Sequence, residues 1–277
     1  MNNFRVNNFR VIGIIPVRLN STRLPNKALI EIEGKPLIVH TYLNAKSLKK
    51  KGLLDELFIA TDSKEIAKVI EKADRESKII FTPSSCQNGT DRIICALKKI
   101  PKKVGEKREL IVNIQGDEPM FSAKNLKKLI DSHVMPLKKN AEENAEENIK
   151  VIPDLSTLAT PIEKSKAVDP NVVKAVINKQ GRAIYFSRAL VPHNRDEEKQ
   201  ITYLKHLGVY AYTRYFLEKK LSKMPFTELE KIEKIEQLRF LSANCQIIVK
   251  IVKDAGIDVN VKKDVDLFLK ALKKIAK

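Results

Sequence analysis

Residues Val11 to Lys27 read VIGIIPVRLNSTRLPNK. The first part is a short apolar run closed by Pro16, the pattern of a buried strand rather than a helix. The second part is a polar loop in which Arg18, Arg23 and Lys27 are spaced by the small residues Asn20, Ser21 and Thr22. Arg and Lys pair well with phosphate or carboxylate. Three cations leaving a core strand therefore read as an anion site, against the plainer alternative of a solvated turn.

Outward from this stretch the chain alternates. Lys27–Ile32 is expected to be extended, Glu33-Gly34-Lys35-Pro36 to turn, and Pro36 to open a helix whose apolar positions are Leu37, Ile38, Tyr42, Ala45 and Leu48. Leu57–Thr61 reads as a strand, and Asp62 with Glu65 as a capping-box start for a helix carrying Ile66, Val69, Ile70 and Ala73. Lys78–Thr82 reads as a third strand. Strand, helix, strand, helix, strand predicts a parallel α/β sheet.

A polar loop follows, with Thr90 as the expected N-cap of a helix burying Ile93, Ile94, Leu97 and Ile100. Glu109–Gln115 is apolar through its centre, as in a strand covered on both faces. It runs into Gly116-Asp117-Glu118-Pro119, and the carboxyl ends of strands are where open α/β sheets bind ligands. Asp117 could instead cap the helix starting near Ser122. Lys138–Lys150 contains AEENAEEN, a low-complexity insertion with no chemistry implied. Strands are expected at Leu155–Ile162, Leu207–Tyr212 and Ile247–Val252. A hairpin is expected from Val172–Asn178 and Ala183–Ser187, with helices at Thr227–Leu241 and Lys262–Ile275.

At 277 residues the chain can bury a full core, and its 43% apolar and 31% charged residues are an ordinary globular balance. NNFRV occurs twice, at Asn2–Val6 and Asn7–Val11; residues 1–10 are expected to be an N-terminal extension, and 11–277 a single domain with an acceptor-binding and dimerisation subregion at about 155–215. No apolar run approaches the ~20 residues of a membrane helix, and the N-terminus has no apolar signal core, so no membrane insertion is expected. Three cysteines, Cys86, Cys95 and Cys245, without CxxC spacing argue against a disulfide framework or a structural zinc, and for a reducing cytoplasm. The net charge of +18 invites nucleic acid as a partner. The excess is scattered lysine without interleaved aromatics, which favours a solvated surface around a site for small anions.

The chemistry can be narrowed by what is missing. There is no GxxxxGK[ST], which excludes a P-loop NTPase, and no GxGxxG after the first strand. If the opening loop holds a triphosphate, a divalent cation on one or two carboxylates is needed beside it, and Asp117 and Asp258 are the candidates. Spacing alone leaves an α/β enzyme that handles phosphates.

The residues go further. IIPVRLNSTRLPNKAL resembles the IIPAR…STRLPGK opening of nucleotidylyltransferases that activate acidic sugars, and is similar to the CMP-Kdo synthetase (3-deoxy-manno-octulosonate cytidylyltransferase) family. The likeness continues through Gly34-Lys35-Pro36, Ala60-Thr61-Asp62, Asn88-Gly89-Thr90-Asp91-Arg92 and Asn113–Pro119. It then takes in Asp169-Pro170-Asn171, Tyr185-Phe186-Ser187-Arg188, His206-Leu207-Gly208-Val209-Tyr210 and Glu236-Gln237-Leu238-Arg239. The resemblance implies a Rossmann-like, mostly parallel sheet of the nucleotide-diphospho-sugar transferase type with a small inserted hairpin subdomain. It implies transfer of CMP from CTP to Kdo with release of pyrophosphate, Mg2+ as cofactor, and a cytoplasmic homodimer serving lipopolysaccharide synthesis. Arg18, Arg23 and Lys27 would neutralise the triphosphate, Ser21 would be a further substrate-binding residue, and Asn88, Gly89, Thr90 and Arg92 would meet the cytosine and ribose. Gln115, Arg188, His206, Tyr210, Glu236 and Gln237 would hold the sugar, with Asp117 on the metal.

Three departures stand out. Asn26 replaces a glycine, which Asn can do at positive φ. Asp91 replaces a glutamate. A GVDTPEDL-like segment would place Asn260 at a metal carboxylate position when Asp264 is aligned with its last acid, leaving Asp258 and Asn260 as alternatives for the second ligand.

Overall fold

The computed structural model describes residues 9–19, 24–102, 108–134, 153–195 and 201–275. Ser21, Arg23 and the Lys138–Lys150 insertion lie outside them. The chain forms two compact units, residues 1–126 with 256–277, and residues 127–255. Among the described residues no helix is long and apolar enough to cross a membrane.

The first unit opens with β1 (Phe9–Val17), in which all nine residues are buried. Ile12, Ile14 and Ile15 are fully enclosed, each contributing ~1.5–3 kcal/mol of apolar transfer. Phe9 and Arg10, expected to belong to an extension, are the first two residues of this strand. Arg10 is buried against Glu56 and Glu109, so a charged residue joins the core because two carboxylates meet it there.

Next comes a single 3-10 turn at Lys27–Leu29, where an extended segment was expected. Asn26 enters it at φ 50, the left-handed conformation that the glycine-to-asparagine departure demanded. A two-residue hairpin, β2 (Glu31–Ile32) and β3 (Lys35–Pro36), leads into α1 (Leu37–Lys50). Pro36 stands just before the helix rather than in it. The five expected apolar positions of α1 are buried.

β4 (Glu56–Thr61), α2 (Lys64–Ala73), β5 (Ile79–Phe81), α3 (Gly89–Leu97) and β6 (Arg108–Asn113) complete the sheet, and α4 (Ala123–Val134) follows. The strands run β6-β1-β4-β5, all parallel, with Ile14 facing Phe58 on one side and Asn113 on the other. Two helix starts differ from expectation. Ser63, not Asp62, caps α2 by accepting from the Ile66 amide at 3.1 Å. Asn88, not Thr90, caps α3 through the Asp91 amide at 2.8 Å. In both cases the residue directly before the helix wins, its side chain accepting from the amide three positions on, as N-cap geometry requires. Ser122, not Asp117, accepts from the Asn125 amide at the start of α4.

The second unit holds β7 (Leu155–Ile162), α5 (Lys164–Ala167), β8 (Lys174–Ile177), β9 (Ala183–Ser187), β10 (Tyr203–Thr213), α6 (Glu228–Glu233), α7 (Gln237–Ser242) and β11 (Ile247–Ile251). β7 pairs parallel with β11 and antiparallel with β10, and β8 with β9 forms the expected hairpin. The register of β10 shifts between Leu207 and Tyr210, a bulge at the His206–Tyr210 motif. The single helix expected over Thr227–Leu241 is two, because Lys234 takes φ 53 and stops α6. Apolar spacing continues across that break, which is why periodicity alone did not reveal it.

The chain returns to the first unit through residues 256–261 and α8 (Lys262–Ile275). Val259 and Phe268 are buried with Ile32 and Leu37, which docks α8 and the loop before it against α1.

Candidate active site

In the first unit the sheet changes direction of progression at β1, with β4 on one side and β6 on the other. Ligands of open parallel sheets bind outside the carboxyl ends at such a switch point. A cavity of about 290 Å³ lies there, lined by Arg18, Lys27, Gln87, Asn88, Gln115 and Asp117 among others. Its floor is tight. A Cβ on Gly89 would come 3.3 Å from the Pro16 ring, and one on Gly116 would come 3.3 Å from the Pro16 carbonyl. Glycine at both places lets the α3 start and the β6 exit close on the end of β1. Thr41 of α1 donates to the Gly116 carbonyl at 2.9 Å and fixes the exit loop.

Lys27 is the hub. Its ammonium pairs with the Asp117 carboxylate and lies 3.4 Å from the Asn260 amide oxygen. Asn260 is brought there by its neighbour: the buried Val259 donates its amide to the Asp117 carbonyl at 2.9 Å. The Asn260 and Val261 amides in turn donate to Asp264 at 2.8 and 2.9 Å. Asp258 lies half-buried on the same loop. Asp117 and Asn260 thus offer two hard oxygen donors to one cation. Among the described residues, no three of His, Cys, Asp and Glu gather as a ready-made metal cage.

Arg18 is exposed at the mouth. Arg92 also lines the cavity, yet it is 2% exposed, and its guanidinium donates to Asp62 at 2.8 Å and Thr82 at 2.6 Å. It holds the α3 start rather than offering a free charge. Thr90 is buried in the first turn of α3. Gln87 was not foreseen; its place beside Asn88 in the polar loop was the available signal. Ser21 and Arg23 fall outside the described residues.

The remaining expected residues gather in the second unit. His206 is 9% exposed, with Nε2 3.0 Å from the Thr157 hydroxyl. That hydroxyl also approaches the Val209 carbonyl at 2.8 Å and the Leu207 carbonyl at 3.1 Å. Giving its one proton to Val209 makes His206 Nε2–H the donor, a tautomer assigned from the network. Burial, helped by Lys205, pushes the His206 pKa down to about 3, so the ring is neutral. Tyr210 stands 5.4 Å from His206 by ring centroids, and Phe186 5.2 Å. Gln237 is 5% exposed at the start of α7, beside the half-buried Glu236.

Arg188 is tied to main chain. Its Nε donates to the Glu233 carbonyl at 2.7 Å, Nη1 to Pro170 at 2.9 Å and Nη2 to Lys234 at 3.4 Å. Glu233 returns two contacts, accepting from the Ser187 hydroxyl at 2.6 Å and the Arg188 amide at 2.8 Å. Of five guanidinium N–H groups, these take three. Glu233 and Lys174, whose ammonium also reaches Arg188, were missed by the sequence reading.

A cation-rich loop and a Gly-Asp exit at a sheet switch point define a nucleotide-handling α/β protein. Residues 12–251 match the family model of the cytidylyltransferases, and the chain belongs to that family. It is similar to the 3-deoxy-manno-octulosonate cytidylyltransferase of Acidobacterium capsulatum, at 35% identity over 94% of this chain and 95% of the relative. The enzyme of that name from Chloroherpeton thalassium is 37% identical over 86% and 87%. Among solved structures it resembles CMP:2-keto-3-deoxy-manno-octonic acid synthetase complexed with CTP, with a TM-score of 0.79 and 30% identity over 96% of this chain and 99% of that one. These matches uphold the resemblance read from the motifs.

Proposed function

We propose that the protein transfers CMP from CTP to the anomeric hydroxyl of 3-deoxy-D-manno-octulosonate (Kdo), releasing pyrophosphate, in the cytoplasm and for lipopolysaccharide synthesis. One observation carries the reading: Lys27, Asp117 and Asn260 converge beside a cavity at the sheet switch point, and a relative of 30% identity is complexed with CTP.

In the reaction the sugar hydroxyl oxygen bonds to the α-phosphorus as the bond to the β-phosphate oxygen breaks. The hydroxyl proton is lost and pyrophosphate leaves. Arg18 and Lys27, with Arg23, neutralise the triphosphate and the charge that grows on the leaving group. Asn88 and Gly89 meet the nucleoside, and Thr90 and Arg92 brace them from within α3. Gln115, Arg188, His206, Tyr210, Glu236 and Gln237 receive the sugar. Arg188 pairs with its carboxylate through the N–H groups that the main chain does not take.

The donors fit Mg2+. A carboxylate and an amide oxygen already share one cation, and Mg2+ is commonly held by one or two protein oxygens together with phosphate oxygens. Asp117 and Asn260 would hold it. When bound, Mg2+ supplies charge neutralisation across the phosphates and aligns them for in-line displacement.

The partners are small molecules rather than nucleic acid, and the chain assembles as a homodimer through the β8–β9 hairpin, where Ile184 is 58% exposed. The test is pyrophosphate release from CTP, with and without Mg2+, against Kdo, 8-amino-Kdo and a sialic acid. Release with Kdo and Mg2+ is expected. Silence with Kdo beside turnover of another acid would overturn the substrate assignment.

A further inference from the structure

Lys174 opens β8, where it faces Ser187 of β9 and Lys205 of β10 in register. It is completely enclosed, at 0% exposure. An ammonium has three donors and no acceptor. Each donor here finds one main-chain carbonyl: Asp169 at 3.2 Å, Val172 at 2.6 Å and Arg188 at 2.6 Å. A buried cation is retained only where hydrogen bonds replace its water, and here they all come from backbone.

The three carbonyls belong to two segments, the Asp169–Val172 turn just before Lys174 and Arg188 at the end of the hairpin. Asp169 and Val172 bracket a turn closed by the Val172 amide on the Asp169 carbonyl at 3.0 Å. Arg188 reaches back to the same turn through Pro170 and forward to the Glu233 and Lys234 carbonyls. Lys234 is the left-handed residue that ends α6, two positions before Glu236. Lys174 and Arg188 therefore form a reciprocal clasp. The lysine holds the arginine's carbonyl, and the arginine holds the turn that wraps the lysine and the helix break that presents Glu236 and Gln237.

We infer that Lys174 is a positioning residue for the sugar side of the site, setting the backbone at Arg188 so that Arg188, Glu236 and Gln237 are presented in one geometry. This rests on the reading that these three residues receive the acidic sugar. Lys174 touches no expected ligand-binding atom directly. Its effect passes through the Arg188 main chain.

The charge on Lys174 matters as well as its shape. Burial lowers its pKa below the 10.5 of an ordinary lysine, the Asp169 and Glu233 carboxylates pull it back up, and Arg188 adds to the lowering. Lys205 is the remaining titratable neighbour in register. Deprotonation removes one donor from the clasp, so sugar affinity should fall on the alkaline side before ordinary lysines lose their charge.

The experiment compares wild type, Lys174→Met and Lys174→Arg by steady-state kinetics and amide hydrogen exchange. In Lys174→Met the KM for Kdo should rise roughly 10- to 100-fold, the scale of a misplaced binding group, while the KM for CTP stays unchanged. Peptides over 169–172, 187–188 and 233–237 should exchange faster, and those over 9–17 and 115–117 should not. Lys174→Arg, which keeps charge and donors, should recover most of the sugar KM and flatten its alkaline rise. Equal losses for CTP and Kdo, no change in either, or an arginine variant no better than methionine would overturn the inference. Should Lys174→Met not fold, the alkaline rise of the wild-type sugar KM decides the matter, and its absence overturns the inference. Should wild type ignore Kdo, the proposed function falls, and the exchange pattern still decides the clasp.

Discussion

The two units treat their polar residues in opposite ways. In the first, Arg18, Lys27, Asn88 and Asp117 stand on loops at strand ends around an open cavity of about 290 Å³. In the second, the residues matched to the sugar are packed into the scaffold: His206 and Gln237 are buried, and Arg188 is bound to three carbonyls. A triphosphate carries its own charge and suits a loop with several cations. A small hydroxy acid offers fewer handles, so its recognition needs side chains held by second contacts. On the proposed assignment of residues, the nucleotide half would recognise by charge and the sugar half by fixed geometry.

The largest effect should come from the first half. Asp117→Ala removes the carboxylate shared with Lys27 and should lower kcat about 10³-fold, as for loss of a key electrostatic group. Its thermal unfolding should stay near wild type. An active Asp117→Ala would remove the metal assignment and the contrast with it.

Next is a purely structural charge in the same unit. Arg10→Ala leaves Glu56 and Glu109 without their shared partner, and should destabilise the fold by about 3 kcal/mol in equilibrium denaturation. CTP affinity of the folded fraction should not change. Catalytic loss at full stability would show that Arg10 does more than pair.

Acid should separate the two units. His133 and His206, both in the second unit, are held neutral by burial, with pKa values of about 4 and about 3. The unfolded chain protonates its histidines near pH 6.5, so below that pH it binds more protons than the fold. Stability therefore falls as pH drops from 6.5 towards 4, by up to about 1.4 kcal/mol per pH unit for each histidine. Circular dichroism melts across this range should show the decline, with CTP binding outlasting sugar binding. A flat profile would contradict the buried neutral state.

The smallest effect is expected at the departure from the family pattern. Asn260→Asp should leave kcat unchanged and lower the Mg2+ concentration for half-maximal rate. A fall in kcat would show that a neutral ligand beside Lys27 and Asp117 is required.

Much of this was legible in the sequence because it is local. The apolar run of β1, the strand ending in Gly116-Asp117 and the hairpin at 174–187 each follow from short patterns. Asn26 in the left-handed region was legible too, from one residue type in one loop. What sequence hid depends on contacts and backbone turns that no short pattern marks. Arg10 joined the core because its partners lie 46 and 99 residues away. Asp62 left its expected cap because Arg92, thirty residues on, claims it. Lys234 broke a helix whose apolar rhythm gave no sign of it. Lys174 looked like one more lysine among many, and only the three carbonyls around it distinguish it.

The most direct test is 31P NMR of the protein with CTP, Kdo and Mg2+. Conversion of the three CTP resonances into pyrophosphate and a single phosphodiester signal is predicted, requiring Kdo. An unchanged CTP spectrum, or conversion only when another acidic sugar is supplied, would contradict the proposed reaction.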